Sequence, residues 1–144
     1  MKIVVLKFGG TSVGTIEKIK KVTDIIIEHK KKKNKVIVVS SAMSGVTNDL
    51  IKKSKQISNN FIDSEYDVLV SSGEQVACSL IAGRLNHKGF KSRSWLGWQI
   101  PIFTNGPYTN SRIQQVNKNK LLRFLKEGGI PTVSYTHLRA HETR

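Results

Sequence analysis

The chain has 144 residues, of which 38% are hydrophobic, and its 24 lysines and arginines against 10 acids give it a net charge of +14. This is about the size of one domain with a buried core, and the single cysteine, Cys78, excludes a fold that depends on an internal disulfide. Because no apolar run approaches the ~18 residues of a membrane span and the run before Lys7 is too short for a signal peptide, we expect a soluble, cytoplasmic protein with no membrane partner.

The excess of positive charge is spread along the chain. Its densest run, "HKKKKNK" at residues 29–35, lies between a helical pattern and an apolar run. Cations at that place suit the negative end of a helix dipole. No motif that reads DNA or RNA accompanies the charge. The sequence therefore predicts a solvated basic surface and no specific nucleic-acid partner.

Strands and helices alternate in the first third of the chain. The run "KIVVLKF" predicts a buried strand, because it is β-branched and too short for a helix. Apolar residues at helical spacing then predict an amphipathic helix from about Ser12 to Lys31. A second apolar strand at 35–43 is followed by a turn and by a helix capped by Thr47.

The same alternation continues to the end of the chain. A polar, turn-rich stretch at 58–67 precedes the segment 68–89, whose later half is helical and stops at Gly89. A strand, a loop and a strand follow at 90–105, then a helix with a glycine stop at 117–129 and a strand that opens at Ile130. This order predicts an α/β protein, a three-layer αβα sandwich around a mainly parallel sheet.

The turn after the first predicted strand, "KFGGTS" at 7–12, has the composition of an anion site. Without side chains, Gly9 and Gly10 let backbone N–H groups approach a phosphate, and Lys7 adds a cation. A cation at the end of a buried strand is costly unless it has an anionic partner. The lysine precedes the glycines, so the turn is not a P-loop. A tight turn that simply needs glycine is the competing explanation.

Two further turns carry polar residues that suit a ligand. In "SSAMSGVTN" at 40–48, Ser41, Ser44 and Thr47 can bond a ligand, although helix capping alone explains Thr47. In "SSGEQ" at 71–75, Glu74 stands beside a glycine near a predicted helix start, where the dipole favours a carboxylate. Capping and ligand binding explain Glu74 equally well.

Taken in order, "KFGGTSV", "VVSSAMSGVTN" and "SSGEQVA", followed by "SRSWLGWQIPI", resemble the motifs of aspartate kinase. The resemblance covers roughly residues 1–132 and the N-terminal half of that family's catalytic domain. It implies the amino-acid kinase fold, truncated here, and ATP-dependent phosphorylation of the L-aspartate side-chain carboxylate to 4-phospho-L-aspartate. That reaction is the first step towards lysine, threonine and methionine.

The resemblance also implies a role for individual residues. Lys7 is the catalytic residue, which stabilises charge on the transferred phosphoryl group. The ATP-binding positions are Lys7 itself, Phe8, Gly9, Gly10 and Ser41. Thr47 and Glu74 contact L-aspartate, and Mg²⁺ arrives with the nucleotide. Because the acceptor is already an ionised carboxylate, positioning and charge neutralisation are sufficient and no general base is required.

The end of the chain departs from the family pattern near Val133. The last residues, "SYTHLRAHETR", resemble a recurrent translation of sequencing-adapter DNA, so we expect residues 1–132 to be half of a catalytic domain and 133–144 a non-native tail. The chain is then inactive alone, and the longer enzyme is a homo-oligomer. His137 and His141 lie four residues apart, but without a third ligand or the H-E-x-x-H order they predict no metal site.

Two alternatives remain open from the sequence. Another amino-acid kinase, acting on glutamate, acetylglutamate or UMP, shares the glycine-rich turn but differs at "SAMSGVTN" and "SGEQ". A non-catalytic phosphate- or nucleic-acid-binding domain predicts salt-steep binding to any polyanion and little loss on Lys7→Ala.

Overall fold

The computed structural model describes residues 2–105 and 112–134, and for Ile102 and Thr104 the backbone alone. Among the described residues, no helix is long and apolar enough to cross a membrane. The elements in chain order are β1 (Ile3–Phe8), α1 (Ile16–Lys31), β2 (Lys35–Ser40), α2 (Val46–Ile57), α3 (Asp63–His87), β3 (Ser92–Trp95), β4 (Ile102–Asn105), β5 (Arg112–Val116), α4 (Asn119–Lys126) and β6 (Ile130–Ser134).

Four of the strands form a parallel sheet in the order β1-β2-β6-β3, which confirms the predicted mainly parallel sheet. Lys7 is in register with Val39, Val39 with Val133, and Val133 with Trp95, so these four residues form one row across the sheet. Residues in register in parallel strands point to the same face. Lys7 and Trp95 therefore lie on one face, at opposite ends of this row.

Each face of the sheet packs against helices, as the predicted αβα layers require. On one face, Val36 and Val38 of β2 join buried residues of α1 and α3, among them Ile26 and Ile81. On the other face, Trp95 packs with Leu121 of α4 and forms an edge-to-face pair with the Phe124 ring at 5.8 Å. The first face covers β2 more completely, so Val36 and Val38 are buried whereas Ile37 and Val39 on the second face are half-buried.

Helix α1 forms where the apolar spacing predicts it but begins at Ile16, four residues after Ser12. The Thr15 side chain caps it by accepting a hydrogen bond from the Lys18 backbone N–H at 3.2 Å. Lys30 and Lys31 of the "HKKKKNK" run lie in its last turn, at the negative end of the helix dipole, whereas Lys35 begins β2. The helix stops predicted at Gly89 and after α4 are also confirmed, with Gly89 and Gly128 at positive φ.

The start of α2 differs from the prediction. Gly45, with φ at +85°, occupies the N-cap position and Thr47 lies inside the first turn, so the prediction that Thr47 caps this helix is wrong. A left-handed backbone at the cap favours glycine over a β-branched residue. The Thr47 side chain is therefore not explained by capping.

Helix α3 is longer than the sequence predicted. It is one helix of 25 residues from Asp63, and it includes residues 63–67, half of the stretch predicted to be polar and turn-rich. The polar residues include Asp63 and Glu65, which lie in the first turn where the helix dipole favours carboxylates. Glu74 consequently lies in the middle of the helix, and the prediction that it stands near a helix start is wrong.

The hairpin of β4 and β5 was predicted only in part. β4 pairs with β5 in antiparallel fashion, with a register shift between Phe103 and Thr104. Every residue of Arg112–Val116 is exposed. A strand with no buried face leaves no alternation of apolar and polar residues, which is why no strand was predicted there.

Candidate active site

The first two strands of the chain end side by side. Phe8 is in register with Ser40, so the turn that follows β1 and the loop that follows β2 start at the same edge of the sheet. In parallel α/β sheets this carboxyl edge is where ligands bind. The two polar turns singled out in the sequence thus lie together.

Backbone hydrogen bonds join these two turns. The Ser41 N–H donates to the Phe8 carbonyl at 3.0 Å, and the Ser44 N–H donates to the Gly10 carbonyl at 3.1 Å. A Cβ added at Gly10 would lie 2.8 Å from the Ala42 carbonyl oxygen, a contact that real Cβ atoms do not make. Glycine is therefore required at position 10 by the second loop. At Gly9 a Cβ would meet nothing within 4 Å, which leaves open space beside that backbone.

Lys7 has a different setting from the one predicted. Ile3, Val5 and Lys7 are the exposed residues of β1, which lies at one edge of the described sheet. The prediction that Lys7 ends a buried strand is therefore wrong, because β1 is exposed on the face that carries Lys7. Lys7 lies two residues before Gly9, on the same face of the sheet as Trp95, against which α4 packs.

Ser41 and Thr47 lie at the two ends of the second loop. Ser41 is the first residue after β2 and is half-buried, with its N–H bonded to the first turn. Thr47 is also half-buried, one residue after Val46 at the start of α2. The loop between them leads from β2 into α2, the helix that packs on α3, and it is hydrogen-bonded to the glycine turn after β1.

Glu74 is almost completely buried, with 2% of its surface exposed. Burial, with the nearby Glu74 carboxyl as a second cause, raises the pKa of the Cys78 thiol to about 12. Cys78 lies one helical turn after Glu74. It is a neutral thiol in the core and has no thiolate with which to act as a nucleophile.

The glycine before Glu74 brings the third motif to the second loop. A Cβ added at Gly73 would lie 3.0 Å from Val46 Cγ1 and 3.2 Å from the Ala42 Cβ, so α3 approaches this loop too closely for a side chain unless its neighbours shift. Ala42 is itself buried. It touches the first turn through its carbonyl and the third motif through its side chain, and all three motifs meet around it.

Sequence reasoning missed the role of Ala42 and assigned none to Gly73 beyond its place beside Glu74. The only available signal was the small size of both residues within polar motifs, since a contact between distant segments produces no periodic pattern. Among residues 2–105 and 112–134, no group of three or more acids, histidines or cysteines is placed to hold a metal ion. His137 and His141 lie outside the described residues, as does most of the predicted tail, although β6 runs to Ser134.

Comparisons with known proteins point to one family. A family model described as "Amino acid kinase family" matches residues 2–141. An aspartokinase from Geobacillus stearothermophilus is 46% identical over 134 residues, which are 93% of this chain and 33% of the relative. The chain thus spans about a third of the length of the curated relatives that it matches.

Solved structures give the same answer. Aspartate kinase from Synechocystis has a TM-score of 0.80 at 32% identity, over 99% of this chain and 24% of that one. Aspartokinase III from E. coli, solved with aspartate and ADP, has a TM-score of 0.75 at 20% identity, over 92% of this chain and 40% of that one, and shows the shared fold. With its parallel sheet, its glycine turn and a family match along nearly all of its length, the chain belongs to the amino acid kinase family.

Proposed function

We propose that the protein to which these residues belong transfers the γ-phosphoryl group of ATP to the side-chain carboxylate of L-aspartate. The observation that carries the proposal is the meeting of the three polar motifs around Ala42, at the carboxyl edge of the sheet. Relatives at 40–46% identity are aspartokinases and aspartate kinases. The product is 4-phospho-L-aspartate, a precursor of lysine, threonine and methionine, formed in the cytoplasm.

The proposed roles are those that the resemblance to aspartate kinase implies for each residue. The backbone of Phe8, Gly9 and Gly10, with Ser41 beside it, binds the ATP phosphates, and the exposed Lys7 ammonium neutralises charge on the phosphoryl group as it moves. Glu74 and Thr47 bind L-aspartate in this proposal, with the Glu74 carboxylate matched to the substrate ammonium.

Mg²⁺ belongs to this proposal as the companion of ATP. The described residues offer no cluster of ligands for a metal of their own, and Mg²⁺ is commonly held by substrate phosphates and one or two carboxylates. When bound, it would neutralise phosphate charge. The steps assigned here to protein residues do not depend on it.

The activity is proposed for a protein of the relatives' length, with the residues of this chain as its first part. The chain covers about a third of those relatives, so we propose that it does not catalyse the reaction alone. We also propose that residues 133–144 are foreign to the natural sequence. The homo-oligomeric state of the longer enzyme is part of the same proposal.

The test is formation of acyl phosphate, trapped as hydroxamate, by the protein completed from its own gene. We expect a signal that needs both ATP and L-aspartate, and a fall in kcat of about 10²–10³ on Lys7→Ala, as for other groups that stabilise transition-state charge. Lys2→Ala removes the same charge at the opposite end of β1 and is the matched control. Phosphorylation of glutamate, acetylglutamate or UMP instead of aspartate, or a near-normal rate for Lys7→Ala, contradicts the proposal.

A further inference from the structure

A pocket lies beside α4, away from the three polar motifs. It has a volume of about 320 Å³ and is lined by Arg93, Trp95, Trp98, Gln99, Pro101 and Lys120. None of the residues proposed for ATP or aspartate lines it. Trp95 and Lys7 stand at opposite ends of one row, three strand spacings or about 14 Å apart, so this pocket is separate from the glycine turn.

The electrostatics of this pocket favour an anion. Its two charged lining residues, Arg93 and Lys120, are both cations. In the sequence from 88 to 134, eight lysines and arginines accompany a single acid, Glu127. That acid forms an ion pair with Lys91 at 2.9 Å and does not line the pocket. A concave site under one sign of charge concentrates ligands of the other sign.

The aromatic lining favours a ligand with a flat ring. Trp98 lines the pocket and is 60% exposed, so its indole is accessible to a ligand there. Trp95 lines the same pocket from the core, with the Arg93 guanidinium carbon 5.0 Å from the centre of its ring. An exposed indole stacks on flat rings of any identity, and cations beside it add to that attraction.

The loop that carries Trp98 is held in place before any ligand arrives. The Gln99 side-chain oxygen accepts a hydrogen bond from the Leu96 N–H at 3.1 Å, and the Gln99 N–H donates to the Leu96 carbonyl at 2.9 Å. These two bonds close the turn at 96–99. A pocket with fixed walls loses less entropy when it binds.

We propose that this pocket binds a small anion that carries a flat ring, of the size and chemistry of a nucleoside monophosphate. The anionic group is bound by Arg93 and Lys120, and the ring lies against Trp98. The volume is at the lower end of the ~300–1,000 Å³ range of small-molecule pockets, which fits one mononucleotide. The site is independent of the proposed phosphoryl transfer.

The two tryptophans of the chain both line this pocket, so their indole N–H signals in a two-dimensional NMR spectrum report on it directly. With AMP as the probe, we expect saturable shifts of both signals. Adenosine and inorganic phosphate, each with half of the chemistry, should bind at least about tenfold more weakly, since a hydrogen bond to a charged group is worth about that factor or more.

Matched variants locate the binding. Lys120→Ala and Trp98→Phe should each weaken AMP binding, with about a tenfold loss for Lys120→Ala. Lys126→Ala, which removes the same charge from α4 outside the pocket, should leave the affinity unchanged, and so should Lys7→Ala at the glycine turn. The amide spectrum of each variant verifies its fold.

Four outcomes would overturn the proposal. In the first, AMP fails to shift the indole N–H signals in a saturable way, and in the second, inorganic phosphate alone binds as tightly as AMP. Alternatively, Lys126→Ala weakens binding as much as Lys120→Ala does, which indicates the diffuse field of a polynucleotide surface. In the fourth outcome, Lys7→Ala abolishes the shifts, which places the nucleotide at the glycine turn.

Discussion

Gly73→Ala tests the close approach of α3 to the loop after β2. Alanine is about 1 kcal/mol better than glycine inside a helix, but its Cβ would lie 3.0 Å from Val46 Cγ1 and 3.2 Å from the Ala42 Cβ. Forcing an extra carbon into a packed site costs about 1–3 kcal/mol. We therefore expect the free energy of unfolding to fall, by up to about 2 kcal/mol.

The same helix provides the control, Gly83→Ala. A Cβ at Gly83 would meet nothing within 4 Å, so this variant should gain the helix propensity, about 0.5–1 kcal/mol, without the packing cost. The measurement is urea unfolding followed by circular dichroism, with unchanged m-values. In a double-mutant cycle, Val46→Ala should reduce the cost of Gly73→Ala, because it removes the nearest atom. Equal stabilisation by Gly73→Ala and Gly83→Ala would refute the claim of a tight contact.

Three further predictions follow from buried and paired groups. In the completed enzyme, Glu74→Gln should chiefly raise the KM for aspartate, whereas Asp67→Asn, at another buried acid of α3, should not; a change confined to the KM for ATP would mean that Glu74 binds the other substrate. Because burial and Glu74 raise the pKa of Cys78 from its ordinary 9.0 to about 12, the folded state favours the neutral thiol. Its contribution to stability is full below pH 9 and is lost as the pH rises towards 12, so the unfolding free energy of Cys78→Ala should decline less over that interval; equal declines would contradict the assignment. The Lys91–Glu127 pair is about half exposed on each side and screened by solvent, so Glu127→Gln should leave the midpoint of thermal unfolding nearly unchanged, and a clear fall in that midpoint would point to a contact beyond this pair.

Local patterns predicted most of the elements correctly. The β-branched runs before Gly9 and Ser41 form strands, because such runs suit buried parallel strands and are too short for helices. Predictions failed where burial or backbone geometry decided. Lys7 is exposed because β1 lies at an edge of the described sheet, and Gly45 replaces Thr47 at the helix cap because the backbone there is left-handed.

The amino-acid sequence by itself determined most of the order of strands and helices, apart from β5, together with the parallel sheet and the three polar motifs, because these depend on periodicity and turn chemistry between near neighbours. Only the tertiary structure decided that the motifs meet around Ala42 and that α3 carries Glu74 in its interior. Only the fold also placed Trp95 and Lys120 around one pocket. Such contacts join segments that are distant in the chain, and they arise from the packing of helices on a sheet, which leaves no repeating pattern in the sequence.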